Sequence, residues 1–193
     1  LRFITDSSNN TAMGYKALYT QTGGTSNTGI GHQAGEFVNN ARYTTLVGAQ
    51  CGSLITNNDY NTMMGYYTGR NTTTGENNAF FGAIAGRFNS TGSRNTYIGC
   101  QAVNNQTHTG SDNTVIGFAA AQNIISGYDN ILIGKSVASG LTTANANIGI
   151  GIDALNACTS SAGNVAIGYA SMGAGVMSGT GRNIALGDAS MYN

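Results

Sequence analysis

Short, largely apolar runs return along the whole chain, separated by polar stretches rich in Asn, Thr, Ser and Gly. "NTAMGYKAL" begins at Asn10, "NTVIGFAAA" at Asn113 and "NVAIGYASM" at Asn164. Aligned on its glycine, the phrase has eleven copies, at Gly14, Gly31, Gly48, Gly65, Gly82, Gly99, Gly117, Gly134, Gly151, Gly168 and Gly187. Eight of the ten steps are 17 residues, one is 18 and one is 19. A fixed short period is the mark of a solenoid, in which each repeat stacks on the one before. Seventeen residues are too few for a helical hairpin, whose repeats begin at about 33. The runs are short and rich in β-branched residues, so each copy predicts one coil of a parallel β-solenoid. The expected fold class is all-β: about eleven 17-residue coils, stacked at about 4.8 Å into a rod on the order of 50 Å long. Residues 10–193 form the single repeat domain, with 1–9 as a lead-in.

The columns carry the structural expectations. Asn stands four residues before the glycine in ten copies: Asn10, Asn27, Asn61, Asn78, Asn95, Asn113, Asn130, Asn147, Asn164 and Asn183, with Thr44 in the third copy. Stacked amides donate and accept, so this column predicts an Asn ladder at a coil corner. The glycine predicts a bend where no Cβ fits. Three residues after it comes a small side chain in most copies, as at Ala17, Ala34 and Cys51. The longer steps fall in the polar stretches, where insertions are tolerated.

Within each strand side chains alternate between two faces. One face takes the position after Asn (Thr11, Thr28 and their equivalents) and the position before Gly (Met13, Ile30 and theirs). This face is expected to line the coil interior. The other takes the middle column: Ala12, Gly29, Leu46, Met63, Phe80, Tyr97, Val115, Leu132, Gly149, Ala166 and Ala185. It is expected to point outward. None of its residues is charged. Strands that are apolar on both sides are normally covered on both sides, so the second face predicts a homo-oligomer, three solenoids around one axis.

Composition adds mainly exclusions. Charged residues make up 8% of the chain, against about 25% in ordinary domains. Yet 40% of residues are hydrophobic, enough to bury a core. The net charge of zero gives no footprint for nucleic acid. No apolar run is long enough for a membrane span. Three widely spaced cysteines, Cys51, Cys100 and Cys158, read as small packing residues rather than a disulfide or zinc framework. The chain opens on Leu1 rather than Met and reads as a segment of a longer protein.

The phrase N-T-x-I-G-x-x-A, carried by "NTAMGYKAL", "NTGIGHQAG", "NTVIGFAAA" and "NVAIGYASM", resembles the repeats of bacteriophage tail fibres. It is also similar to the head repeats of trimeric autotransporter adhesins of the YadA type, whose period is shorter. The resemblance covers about residues 10–191. It implies a homotrimeric, β-structured protein used for attachment, whose partners are its own copies, other fibre or virion proteins, and cell-surface glycan. The implied location is the virion, as tail fibre or spike; the alternative is the bacterial cell surface, as an adhesin.

Candidate chemistry is sparse. His32 and His108 lie in distant coils with no Ser-His-acid arrangement. Asp112 and Asp129, one coil apart at the same loop position, are the one pair close enough in principle for glycoside hydrolysis, and they read better as solvated loop acids. No catalytic residue, metal site or cofactor is expected. The positions after the glycine supply aromatics suited to sugar rings: Tyr15, Tyr66, Tyr67, Phe118 and Tyr169 are the candidate glycan contacts. Sequons occur at Asn9, Asn71, Asn89 and Asn105. The expected function is a structural fibre segment supporting host attachment. Ice binding by a Thr-bearing face and polysaccharide depolymerisation are the rivals from other classes.

Overall fold

A computed structural model describes residues 6–156, 158–173 and 181–191. The first five residues of the expected lead-in, and the part of the 19-residue step at 174–180, lie outside the described residues. Eleven three-residue strands follow one another: β1 (Thr11–Met13), β2 (Thr28–Ile30), β3 (Thr45–Val47), β4 (Thr62–Met64), β5 (Ala79–Phe81), β6 (Thr96–Ile98), β7 (Thr114–Ile116), β8 (Ile131–Ile133), β9 (Ile148–Ile150), β10 (Val165–Ile167) and β11 (Ile184–Leu186). They form one parallel sheet in sequence order. The register places each repeat position on its equivalent, as in Thr28 on Thr45 and Ile30 on Val47. The fold is the parallel β-solenoid that the period predicts.

Most of each coil is not strand, yet hydrogen bonds between coils continue around it. Past the sheet, Leu18 N–H donates to Ala34 O, Gly35 to Cys51 O and Gly52 to Thr68 O, at 2.9–3.0 Å. On the far arm Thr56 N–H donates to Thr73 O and Thr73 to Ser90 O. This stacking uses left-handed backbone at fixed columns. The second residue after each glycine has φ near +55°, as at Lys16 (54°), Gln33 (56°) and Gln50 (53°). The fourth behaves alike, and includes Val103 at 49°. Such φ values cost a non-glycine residue about 1–2 kcal/mol each. The ladders above and below over-determine the conformation and hold it there.

The repeat glycine needs more than this. Gly14, Gly31 and Gly48 have φ of 127°, 129° and 133°, a region open to glycine alone. A Cβ on Gly14 would lie 2.6 Å from Gly31 O, and one on Gly31 would lie 2.7 Å from Gly48 O. Glycine stacks on glycine, and the chain leaves the sheet there.

The core corrects the expected faces. The middle column points inward: Leu46, Met63, Phe80, Tyr97, Val115 and Leu132 are fully buried. The position before Gly points outward, with Met13 exposed to 62%, Met64 to 47% and Leu186 to 64%. The alternation was right and the side was wrong, because both faces are apolar and the turn at the glycine chooses between them.

The interior is filled by size complementarity between the middle strand column and the fourth residue after Gly. Leu46 faces Gly52, Met63 faces Gly69 and Phe80 faces Gly86, whereas Gly149 faces Leu155. A Cβ on Gly52 would lie 2.6 Å from Leu46 Cδ2, and one on Gly86 would lie 2.8 Å from Phe80 Cδ2. In the second coil both members are glycine, and Leu18 and Leu46 of the flanking coils fill the space.

Gly86→Ala should therefore cost about 2–3 kcal/mol through overpacking, since alanine already occupies the same column at Ala121 and Ala138 with φ of 48° and 51°. Phe80→Leu in the same chain should relieve it. A double-mutant cycle read by urea denaturation should give a favourable coupling of about 1 kcal/mol or more, and strict additivity would refute the packing account.

Candidate functional site

The Asn column builds the ladder expected of it, with a particular wiring. Each Asn Oδ1 accepts the backbone N–H of the next Asn: Asn10 from Asn27 at 2.8 Å, Asn61 from Asn78 at 2.9 Å, Asn78 from Asn95 at 3.0 Å and Asn147 from Asn164 at 2.9 Å. The same bond links Asn95 to Asn113, Asn113 to Asn130, Asn130 to Asn147 and Asn164 to Asn183. The Nδ2 group ties the column to the far arm, Asn27 donating to Ala41 O and Asn113 to Gly127 O. Thr44 accepts this pattern on one side only: its N–H donates to Asn27 Oδ1, and its hydroxyl turns back to Arg42 O.

The middle strand column carries one polar departure. Tyr97, the single residue of its column with a polar atom, is stacked on Phe80 with ring centroids 4.6 Å apart. Its hydroxyl lies 2.6 Å from Nε2 of His108, and both side chains are fully buried. His108 lies within the 18-residue step, just after the exposed stretch 105–107. Burial pushes the imidazole down to about 4, the carbonyls of Ile124 and Gly110 offsetting only part of the penalty. His32 is elsewhere, stacked on Tyr15 at 5.4 Å. The two histidines do not converge.

Asp112 is committed to Arg94, which donates to its two oxygens at 2.6 and 2.8 Å. That hydrogen-bonded pairing holds the carboxyl below its ordinary range and so ionised, which does not suit a general acid. Among the described residues no cluster of three His, Cys, Asp or Glu is placed to hold a metal, and no helix is long and apolar enough to cross a membrane. Cys51 and Cys158 are buried packing residues, and burial pushes the Cys51 thiol up to about 12. Cys100 is exposed, which corrects its reading as a packing residue. Of the sequons, Asn89 is fully buried and bonds Gly92 O, so no glycan can be attached there in the folded chain.

The candidate glycan contacts fall into two groups. Tyr15, Tyr66, Phe118 and Tyr169 share one column, just after the glycine, and are exposed. They stand on the first, fourth, seventh and tenth coils, one ring every three coils, or about 14 Å. Tyr67 is half-buried on the next column. It belongs to a ridge that the sequence reading missed. Lys16 pairs with Glu36 at 2.9 Å, Gln33 donates to Glu36, Gln50 donates to Gln33, and Arg70 donates from Nε to Gln50 Oε1 at 2.9 Å. The ridge ends in Tyr67, Arg87 and Phe88, joined by cation–π contacts. Its signal in the sequence is the arginine found five residues after both Gly65 and Gly82.

Compared with protein-family models, curated proteins and solved structures, the chain matches none of them.

Asn113→Ala removes an acceptor from the buried Asn130 N–H and a donor from Gly127 O. The expected cost is about 2–4 kcal/mol, and Asn10→Ala, at the half-buried first coil, should cost less than half as much in the same denaturation assay.

The folded chain binds the His108 proton near 4, and the unfolded chain near its ordinary 6.5. The unfolded state therefore takes up the proton first on acidification. Stability from this group is complete above about pH 6.5 and lost as pH falls towards 4, by about 3 kcal/mol. His108→Gln, which can still meet the Tyr97 hydroxyl, should flatten that part of the stability–pH curve; an unchanged slope would refute the assignment.

Proposed function

We propose that the chain is a structural segment of a homotrimeric attachment fibre, with three solenoids packed through their sheet faces. The observation that carries this reading is the outward face of the sheet. In β8–β11 every outward residue is apolar: Ile131, Ile133, Ile148, Ile150, Val165, Ile167, Ile184 and Leu186. In β1–β7 threonine or alanine alternates with Met, Ile, Val or Phe. A row of such strands along a rod leaves a continuous apolar stripe, which a partner of the same length and register covers best. Correcting the faces exchanges which columns form the stripe and leaves the need for a partner intact. The repeat style favours a viral tail fibre or spike that carries a receptor-binding tip away from the particle and touches surface glycan along its length. A bacterial surface adhesin of similar build is the alternative location. No step of this role needs catalysis, a cofactor, nucleic acid or membrane insertion.

One observation favours a second reading. The threonine column is outward, so Thr28, Thr45, Thr62, Thr96 and Thr114 present hydroxyls on a flat, regularly spaced face suited to ice. The ladder breaks at Ala79 and gives way to Ile and Val from β8 onward.

Light scattering should give a mass about three times the 19.8 kDa of the chain. Ile150→Lys, on the outward face, should shift that mass to the monomer while the β-sheet circular dichroism persists. A wild-type monomer overturns the fibre reading. Thermal hysteresis measured on the same sample would then establish ice binding, and its absence would dismiss it.

A further inference from the structure

Arg70 and Arg87 occupy the same column on successive coils. Each guanidinium carbon lies 5.2 Å from the centroid of the Tyr67 ring, and that of Arg87 lies 4.8 Å from the Phe88 ring. Tyr66 meets Tyr67 edge-on, with centroids 4.1 Å apart. Two cations thus contact one aromatic ring, and among the described residues no acid pairs with either. The ion pairs use Lys16, Arg42 and Arg94 instead. Of only eight basic residues in the chain, two meet on this one ring without a counter-charge among the described residues. Arg87 Nε is also closed off from solvent with no hydrogen-bond partner.

The cluster is held in place from behind. Gln50 fixes Arg70 at Nε, and Gln50 is itself fixed by Gln33, which Glu36 binds. The planar fork of Arg70 is therefore pre-oriented, and among the described residues no bond engages its terminal nitrogens, which lowers the ordering cost of binding. Carboxylates and sulfates match such forks by paired, charge-assisted hydrogen bonds. The adjoining Tyr66 ring is exposed and offers a stacking face to a pyranose. All four residues lie on the arm after the glycine corner, away from the strand positions that would pack in a trimer.

We propose that Arg70, Arg87, Tyr66 and Tyr67 form a binding site for an acidic saccharide, a sugar bearing a carboxylate or a sulfate. The proposal deepens the glycan-contact part of the fibre reading and rests on it for its setting.

The test is calorimetric titration of the full chain with 3′-sialyllactose, 3′-sulfolactose and lactose, which differ in the acidic group. At least one acidic probe should bind about tenfold or more tightly than lactose, and which of the two binds identifies carboxylate or sulfate. Arg70→Gln and Arg87→Gln should each weaken that binding about tenfold, with the lactose affinity unchanged. Arg70→Lys and Arg87→Lys keep the stem and the charge but lose the fork, so they should still weaken it several-fold if the Gln variants fail to fold. Equal binding of all three probes, binding of none, or full affinity in the Lys variants overturns the site. Light scattering on the same samples separates the two readings: a monomer that binds keeps the site and sinks the fibre, and a trimer that binds no probe does the reverse.

Discussion

The structure depends on glycine stacked directly on glycine at one corner of every coil. The chain passes there with φ near +130°, and the backbone of the next coil is too close for any Cβ. Glycine there admits the hydrogen-bonded spacing between coils, and the chain turns off the sheet at the same place each time. Every other column inherits its register from this corner. A ladder of backbone hydrogen bonds can then run round arms that are not strands at all. Those bonds hold side chains as bulky as Ile84 in left-handed conformation, at φ of 56°.

Given that register, two kinds of side chain hold the coils together. The Asn column satisfies buried backbone donors of the next coil and carbonyls of the opposite arm, so it braces the coil in two directions. The interior is packed by paired sizes, a large residue on the strand against glycine on the arm, or the reverse. Where the column admits a polar ring, at Tyr97, the insertion-bearing coil supplies His108 to meet it. A narrow interior has room for few arrangements, and a buried hydroxyl left without a partner would cost about 1–3 kcal/mol.

The outer surface is unevenly divided between apolar and polar faces. The sheet carries a stripe of apolar residues, most complete over β8–β11. The arm beyond the glycine carries the exposed rings and the Arg70–Arg87 ridge. The fibre we propose would use this division, one face for its own copies and another left open for a host surface.

Much of this was legible in the sequence. The period, the parallel all-β coil, the Asn ladder and the glycine corner were all readable, because repetition forces each column to solve the same physical problem eleven times. Which strand face lay inside was not, since alternation separates two faces without ordering them and both are apolar here. The clue was present in the matched sizes of Leu46 with Gly52 and Gly149 with Leu155, but it has meaning only once the arm is known to fold back over the strand. The ridge was hidden for the same reason: Arg70 and Tyr67 are three residues apart in sequence, whereas Arg87 reaches them only by stacking. Local pattern determines what a coil repeats. The backbone turn at the glycine, a tertiary event, decides what that repetition buries and what it displays.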